Sequence, residues 1–428
     1  MLELNPPLQF DSAGDAEFFS AVPNGPAVCL IAFGDAKAEP LLIRSQDLRR
    51  RLQRLLGPAD PASKRLNLRS SAHEVRFRRT GSAFEQTLTY YQHARQIFPQ
   101  RYRDLLRMRP PAVLKVSLRN PYPRCYVTRH LSVDASGAPT AGMYYGPFSS
   151  RHSAEAFAEG VQDLFKVRRC QIKIRRDPSF PGCIYSEMKM CLAPCFAGCS
   201  KEEYDSEVQR FVQFLESTGD SLRNTLEAER EHASEELDFE RAATLHKKIE
   251  RVDEVLRGHP ELARRIQTLD AIILQRGVDE QVVAAYRVKG GKICEPFFLP
   301  FGEIASQPRS AEQLFRNYLE PAELPSAVPP LSIPGETNVA AELNGNNSIS
   351  DSMVPAPTFQ GSPSRKGELS EHLWLIAKWY YSNPRAGEIF FYDKKGWPYR
   401  RILRACSRLL APPEPAAAPA TETGLPPA

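Results

Sequence analysis

The chain has 428 residues, of which 42% are hydrophobic and 25% charged, and its formal net charge at pH 7 is +5. It is too long for one ordinary domain and apolar enough to build two or three compact cores, and no apolar run approaches the roughly 18 residues of a membrane span. The first residues have neither the basic start nor the apolar stretch of a signal peptide. We therefore expect a cytoplasmic protein of several domains with no membrane partner.

The first part of the chain predicts a small α/β domain over residues 20–108. Short apolar runs at 27–33 and 41–43 predict two strands. The helix that follows has leucines at helical spacing, and Asp47 is its candidate N-cap. A second helix is predicted from about Ala83 to Leu106, where two prolines end it.

Arginines are concentrated in this first region and again around Cys170, where Arg168 is one of them. Such clusters fit contacts with a phosphate backbone, and ordinary solvated surfaces are the alternative. We expect the following residues to contact DNA: Arg49, Arg50, Arg54, Lys64 and Arg65.

Residues 109–200 predict a connector of strands and one helix that leads into a cysteine-rich segment. Five of the nine cysteines lie between Cys170 and Cys199. Four of them are separated by twelve, seven and three residues: Cys170, Cys183, Cys191 and Cys195. Thiolates brought together at such spacings bind zinc or an iron-sulfur cluster. A disulfide framework does not suit a cytoplasmic protein, and chance clustering in a core is the remaining alternative.

Residues 201–260 predict helices, which begin with a capping box at Ser200 and Glu203. The segment 221–257 predicts an αα-hairpin that is broken near Leu237 and Asp238. A hairpin of this size buries little apolar surface by itself, so we expect a partner hairpin.

A strand pattern follows from Asp270, with a turn at Gly290-Gly291, and a helix and a strand are predicted again within 368–410. Between these parts, residues 320–367 are rich in Pro, Ser and Asn and predict a disordered insertion. A disordered tail is predicted for 411–428.

Four motifs occur here in the order typical of UvrC, the nuclease subunit of the bacterial nucleotide excision repair excinuclease: YPRCYVTR (122–129), YYGPFSS (144–150), CLAPC (191–195) and LDFERAA (237–243). The chain resembles that family over about residues 24–319 and more weakly over 370–392. The resemblance implies an α+β multidomain fold with a GIY-YIG-like N-terminal domain, a cysteine-rich region, a UVR helical hairpin and a partial RNase H-like region at 268–319 plus 368–410.

The resemblance also implies a cofactor and a partner. In the family, the four cysteines at this spacing hold an iron-sulfur cluster, so we expect a 4Fe–4S cluster, with zinc as the alternative. The family's hairpin docks on a matching hairpin of UvrB. On this chain we expect five residues to form that contact: Leu237, Phe239, Ala242, Ala243 and Leu245.

The nuclease site that the resemblance implies is degenerate. A GIY-YIG nuclease uses two tyrosines, a lysine, an arginine and a metal-holding glutamate. Placing the family's NLRRRL on Asp47–Leu52 puts Cys29 and Leu41 at the tyrosines and Ile43 at the YIG glycine. Arg44 then replaces the lysine, and Arg51 alone is unchanged.

The glutamate of that site falls at Tyr90, and Glu85 lies more than a helical turn away. The carboxylates of the family's C-terminal nuclease and its helix-hairpin-helix pair are not found. The sequence therefore predicts a truncated UvrC-like protein of excision repair that binds UvrB and DNA and lacks its own nuclease. The alternatives are an active incision subunit with unorthodox catalytic residues and an iron-sulfur redox or metal sensor unconnected with repair.

Overall fold

The structure is a computed structural model that describes residues 2–35, 37–58, 65–118, 120–302, 309–320 and 367–411. Lys64 and nearly all of the predicted insertion and tail lie outside these residues. The described part mixes helices and antiparallel sheets, as the predicted α+β class requires. No helix in it is long and apolar enough to cross a membrane. The GIY-YIG-like, UVR and RNase H-like assignments stay predictions.

The first module is a four-stranded antiparallel sheet in the order β1-β4-β2-β3. Its elements are β1 Leu8–Gln9, α1 Asp15–Ala21, β2 Ala27–Phe33, β3 Leu41–Ser45, α2 Leu48–Leu56, β4 Ala72–Arg79, α3 Ala83–Ile97 and α4 Tyr102–Leu106. Asp47 caps α2 as predicted, because its carboxylate accepts the backbone N–H of Arg50 at 3.1 Å. One core lies under α1 and α2, and residues of α3 belong to another.

The single helix predicted over 83–106 is wrong. The first helix ends at Ile97 with Phe98 as its C-cap, and a separate short helix starts at Tyr102. Pro99 explains the break, because it has no N–H to donate and its ring disfavours a helical conformation at Phe98.

The second module is a sheet in the order β6-β5-β7-β8, and helices pack on one of its faces. Its elements are β5 Ala112–Ser117, β6 Arg124–Thr128, β7 Met143–Phe148, α5 Arg151–Leu164, α6 Ile184–Glu187, α7 Lys201–Glu216, α8 Asp220–Glu235, α9 Phe239–Arg257 and β8 Arg264–Arg265. The predicted break of the αα-hairpin is confirmed. Asp238 caps α9 by accepting the N–H of Arg241 at 3.0 Å.

The third module is an antiparallel sheet in the order β11-β10-β9-β13, with β12 also paired to β10. Its elements are β9 Asp270–Arg276, β10 Val282–Lys289, β11 Lys292–Ile293, β12 Phe297–Pro300, α10 Ala311–Leu319, α11 Glu368–Tyr380, β13 Glu388–Phe391 and α12 Tyr399–Leu410. The turn predicted at Gly290-Gly291 joins β10 to β11. Both glycines have positive φ there, of 57° and 77°, which side chains rarely tolerate.

Helix α11 joins the third module to the first. The Glu371 carboxylate accepts hydrogen bonds from the hydroxyls of Tyr91 (2.7 Å) and Tyr102 (2.6 Å) and from the guanidinium of Arg103 (2.7 Å). Burial opposes its charge, but these donors hold the pKa of the carboxyl below its usual range. The predicted regions 20–108 and 368–410 thus share one hydrophobic core.

His372, also on α11, makes stability depend on pH. Its Nδ1 accepts the backbone N–H of Ile293 at 2.9 Å, and burial lowers its pKa to about 4 against the influence of Glu368 and Glu371. The folded imidazole therefore stays neutral between pH 6.5 and 4, while the unfolded chain takes up a proton. Because the unfolded state binds more protons, stability falls as pH falls through this window, by about 2 to 3 kcal/mol from this group.

We expect His372→Gln, whose amide oxygen can still accept a hydrogen bond, to flatten this dependence. Urea unfolding at pH 7 and pH 4.5 measures it. The variant should keep a residual pH dependence, because burial also lowers the pKa of His259 to about 4 and His259 is present in both proteins. Identical losses of stability in wild type and variant would contradict the assignment to His372.

Candidate functional site

The residues at the expected nuclease positions lie on two faces of the first sheet. Cys29, Leu41 and Ile43 belong to the core under α1 and α2, and Cys29 pairs with Ile43 across β2 and β3. Cys29 is fully buried, and burial raises the pKa of its thiol to about 12. Arg44, the next residue after Ile43, points to the opposite face, because side chains alternate along a strand. The structure therefore does not bring these positions into one site.

Arg44 and Tyr90 do meet. The guanidinium carbon of Arg44 lies 4.8 Å from the centre of the Tyr90 ring, in a cation–π contact. Burial raises the pKa of Tyr90, although Arg44 and Arg101 favour its ionised form. The positions where the family has a lysine and a metal-holding glutamate thus hold a stacked pair. Arg51 is half-buried on α2, and its Nε has no hydrogen-bond partner among the described residues.

Glu85 supports a turn of the backbone. Its side chain is fully buried, and its oxygens accept hydrogen bonds from the N–H of Gly81 (2.9 Å) and from Arg78 (3.5 Å). Burial raises the pKa of the carboxyl in spite of these contacts. From the first turn of α3, the Glu85 carboxylate thus holds the turn that follows β4.

The arginines expected to contact DNA have unequal access to solvent. Arg50 and Arg54 are exposed one turn apart on α2, and Arg65 is also exposed. Arg49 instead donates hydrogen bonds to the carbonyls of Val22 (2.7 Å) and Ser20 (3.3 Å), at the end of α1. The face of α2 that a phosphate could reach therefore centres on Arg50 and Arg54.

A second basic face lies on α12 and was missed from the sequence. Ile402, Ala405 and Cys406 of this helix are buried in the third core. Four arginines on the other side are exposed: Arg400, Arg401, Arg404 and Arg408. Their spacing of i, i+4 and i+8 could have revealed the stripe. Arg408 pairs with Glu388 at 2.7 Å, whereas Arg400 and Arg404 have no partner in the part of the chain that the structure describes.

Arg168, one of the arginines clustered around Cys170, supports the cysteine-rich segment and is not accessible to a phosphate. The residue is only 1% exposed. Its guanidinium donates to the carbonyls of Tyr122 (2.8 Å), Cys170 (3.1 Å) and Ile172 (3.1 Å), and Nη1 lies 3.7 Å from the Cys170 sulfur. A buried charge satisfied in this way fixes the backbone where the cysteine-rich segment begins.

The four spaced cysteines lie in one neighbourhood. The pKa of Cys191 is raised to about 11, chiefly by burial and in smaller part by the neighbouring thiols of Cys170, Cys183 and Cys195. The backbone N–H of Ala193 donates to the Cys191 sulfur at 3.3 Å. None of the nine cysteines forms a disulfide, so the alternative of a disulfide framework is not supported.

The donor type of this cysteine group fits a soft metal or an iron-sulfur cluster, because four thiols and an N–H donor to sulfur are what such centres use. The side chains themselves are not arranged around a common metal position. Among the described residues, no group of three or more Cys, His, Asp or Glu is arranged to hold a metal ion. The fit is therefore one of chemistry and neighbourhood, and the ligand set stays a prediction.

The tip of the αα-hairpin exposes part of the surface expected to bind a partner. Leu237 and Phe239 are 71% and 66% exposed, and Ala243 is also exposed. Leu245, which we expected on the same surface, is instead buried with Leu226 in the core of the second module. The other end of the hairpin packs on α5, where Arg251 pairs with Asp163 at 3.0 Å. Among the described residues, Leu237 and Phe239 are thus the large apolar side chains of the hairpin that stay exposed.

Comparisons with known proteins bear on this arrangement. The family model described as the middle domain of the UvrC/Cho excinuclease matches residues 112–214. UvrABC system protein C of Chlamydia caviae is 29% identical over 197 residues, which are 45% of this chain and 31% of that protein. The Dehalococcoides mccartyi protein of the same name is 31% identical over 180 residues, 42% of this chain and 28% of its own length.

A third relative, UvrABC system protein C of Caldanaerobacter subterraneus, is 25% identical over 241 residues, 56% of this chain and 37% of its own. The chain thus matches about a third of the length of these curated relatives. No solved structure matches.

Proposed function

Because this chain belongs to the UvrC family, we propose that it is a component of bacterial nucleotide excision repair that binds UvrB and DNA and has no nuclease activity of its own. The observation that carries the proposal is the exposure of Leu237 and Phe239 at the tip of the αα-hairpin. Large apolar side chains left uncovered at one point of a folded surface favour a protein partner there. Co-purification with the cognate UvrB tests the proposal, and failure of the folded protein to retain UvrB would overturn it.

Two basic faces support binding to DNA. Arg50 and Arg54 on α2 are exposed one turn apart, and so are Arg400 and Arg404 on α12. Each arginine that neutralises a phosphate releases counterions, so the affinity should fall steeply as salt is raised. These contacts recognise the backbone and not the base sequence.

The absence of nuclease activity is supported by the first module. A one-metal phosphodiesterase needs a carboxylate to hold the cation and a group to manage protons. Tyr90 is engaged by Arg44, Glu85 is buried against Gly81 and Arg78, and Cys29 lies under the opposite face of the sheet. An active subunit with unorthodox residues remains the second candidate, and metal-dependent nicking of damaged duplex would distinguish it.

We propose that Cys170, Cys183, Cys191 and Cys195 hold an iron-sulfur cluster. Such a cluster would cross-link the segment and supply one-electron redox chemistry. The thiols must lose their protons to bind, and the raised pKa of Cys191 makes this harder at low pH. A sensor unconnected with repair would show cluster-dependent behaviour without affinity for UvrB.

Protein purified without oxygen is expected to be brown and to contain iron and sulfide. Cys191→Ala should lose most of the iron, whereas Cys199→Ala should keep it, because Cys199 lies outside the spaced set. Iron and sulfide analysis with absorption spectra measures both. Colourless wild-type protein with one stoichiometric zinc would contradict the cluster and leave a structural metal site.

A further inference from the structure

A cavity of about 380 Å³ opens where three distant segments of the chain meet. These are the turn between α4 and β5, the loop between β6 and β7, and the first turns of α11. Apolar side chains form much of its wall: Met108, Leu131, Val133 and Trp374. Its size lies within the range of cavities that bind small molecules, and its position between modules is typical of them.

The charges on this cavity do not cancel. Three arginines and one carboxylate line it: Arg103, Arg109, Arg129 and Glu371. Glu371 is already paired with Arg103 and accepts two tyrosine hydroxyls. Arg109 and Arg129 have no partner in the described ranges of the chain, so two positive charges face the opening uncompensated.

We propose that this cavity binds a nucleotide unit, with the base against Trp374 and the apolar wall and the phosphate between Arg109 and Arg129. Guanidinium groups are strong donors to phosphate oxygens. Trp374 supplies an aromatic ring to the wall, and the ammonium of Lys378 lies 4.7 Å from the centre of that ring. Aromatic and cationic side chains are combined in this way in proteins that bind single strands, where any base can stack. A nucleobase without a phosphate would leave the two arginines without a partner, and inorganic phosphate would leave the apolar wall uncovered.

The nucleotide unit can come from two sources, a free mononucleotide or an unpaired residue of a nucleic-acid strand. Calorimetric titration of the full chain with adenosine 5′-monophosphate, adenosine, inorganic phosphate and a short oligodeoxyadenylate separates them. Binding of the mononucleotide identifies the first source. If the protein binds the oligonucleotide but not the mononucleotide, and the double variant Arg109→Gln/Arg129→Gln loses that binding, the second source is identified.

The double variant Arg109→Gln/Arg129→Gln should weaken the binding of either ligand about tenfold or more, and Trp374→Leu should weaken it while leaving inorganic phosphate unaffected. The matched control is Lys248→Gln/Arg257→Gln, two exposed cations on α9 that lie outside both basic faces and the cavity, which should not change the binding of either ligand. Thermal melting confirms that each variant is folded.

Equal affinity for inorganic phosphate and the mononucleotide would overturn the proposal, as would the absence of binding to the mononucleotide and the oligonucleotide alike. Failure of this proposal and failure of the proposed function are distinguishable, because retention of UvrB does not involve this cavity and binding of the mononucleotide does not depend on binding to duplex DNA.

Discussion

Purified protein, alone or with UvrB, is expected to make no incision above background in damaged duplex DNA with Mg²⁺ or Mn²⁺. The position that should hold the cation carries Tyr90 under Arg44, and the nearest glutamate, Glu85, is bound to the backbone of Gly81. Loss of a metal-holding carboxylate removes several kcal/mol of transition-state stabilisation, so the rate should be about a thousandfold or more below that of an active family member.

The measurement is a gel assay of end-labelled duplex carrying one lesion, with an active UvrC protein as the positive control. Arg51→Ala serves as the internal check, because Arg51 is the one residue unchanged from the family's site. Robust nicking by the wild type that Arg51→Ala abolishes would establish the active-subunit alternative.

Phe239→Ala is expected to weaken the binding of UvrB roughly thirtyfold or more. The ring is 66% exposed directly after the Asp238 cap, where it can reach a partner without disturbing its own helix. Aromatic anchors at the centre of small interfaces commonly contribute about 2 to 4 kcal/mol. Leu237→Ala should have a smaller effect in the same direction. Titration of UvrB, or of its C-terminal hairpin, measures both.

The control for that titration is Leu66→Ala, which truncates another large side chain that is 63% exposed, in the first module. It should leave the affinity unchanged. Circular dichroism shows whether each variant keeps its helices. Equal affinity of wild type and Phe239→Ala would remove Phe239 as the anchor, and no affinity of either would contradict docking through the hairpin.

Features that depend on near neighbours in the chain were predictable from the sequence. The capping box at Ser200, the cap at Asp238 and the glycine turn between β10 and β11 each depend on residues within four positions. The break at Pro99 was missed although its signal is local, because the apolar pattern continues across it.

Features that depend on distant packing were not predictable. Tyr91 and Glu371 are 280 positions apart, and no local pattern indicates that they share a hydrogen bond. Likewise, we expected Leu245 and Phe239 on one partner-binding surface, yet only Leu245 is covered, because it lies in the core that Leu226 of α8 also joins. Cys29 and Tyr90 lie on opposite faces of the first sheet, because successive side chains of a strand point to opposite faces. Aligning the chain with the family's motif gives the order of these residues but not the face on which each one lies.

The contact between α3 and α11 also has a consequence for synthesis on the ribosome. The apolar side chains of α3, including Phe84 against Tyr286 and Trp379, are made long before their partners. At about 5 to 20 residues per second, the 280 positions between Tyr91 and Glu371 take about 15 to 55 seconds to translate. During that interval the residues of the first sheet have been made and the α3 face that packs on α11 is uncovered, so the first module reaches its final packing only after α11 has left the ribosome.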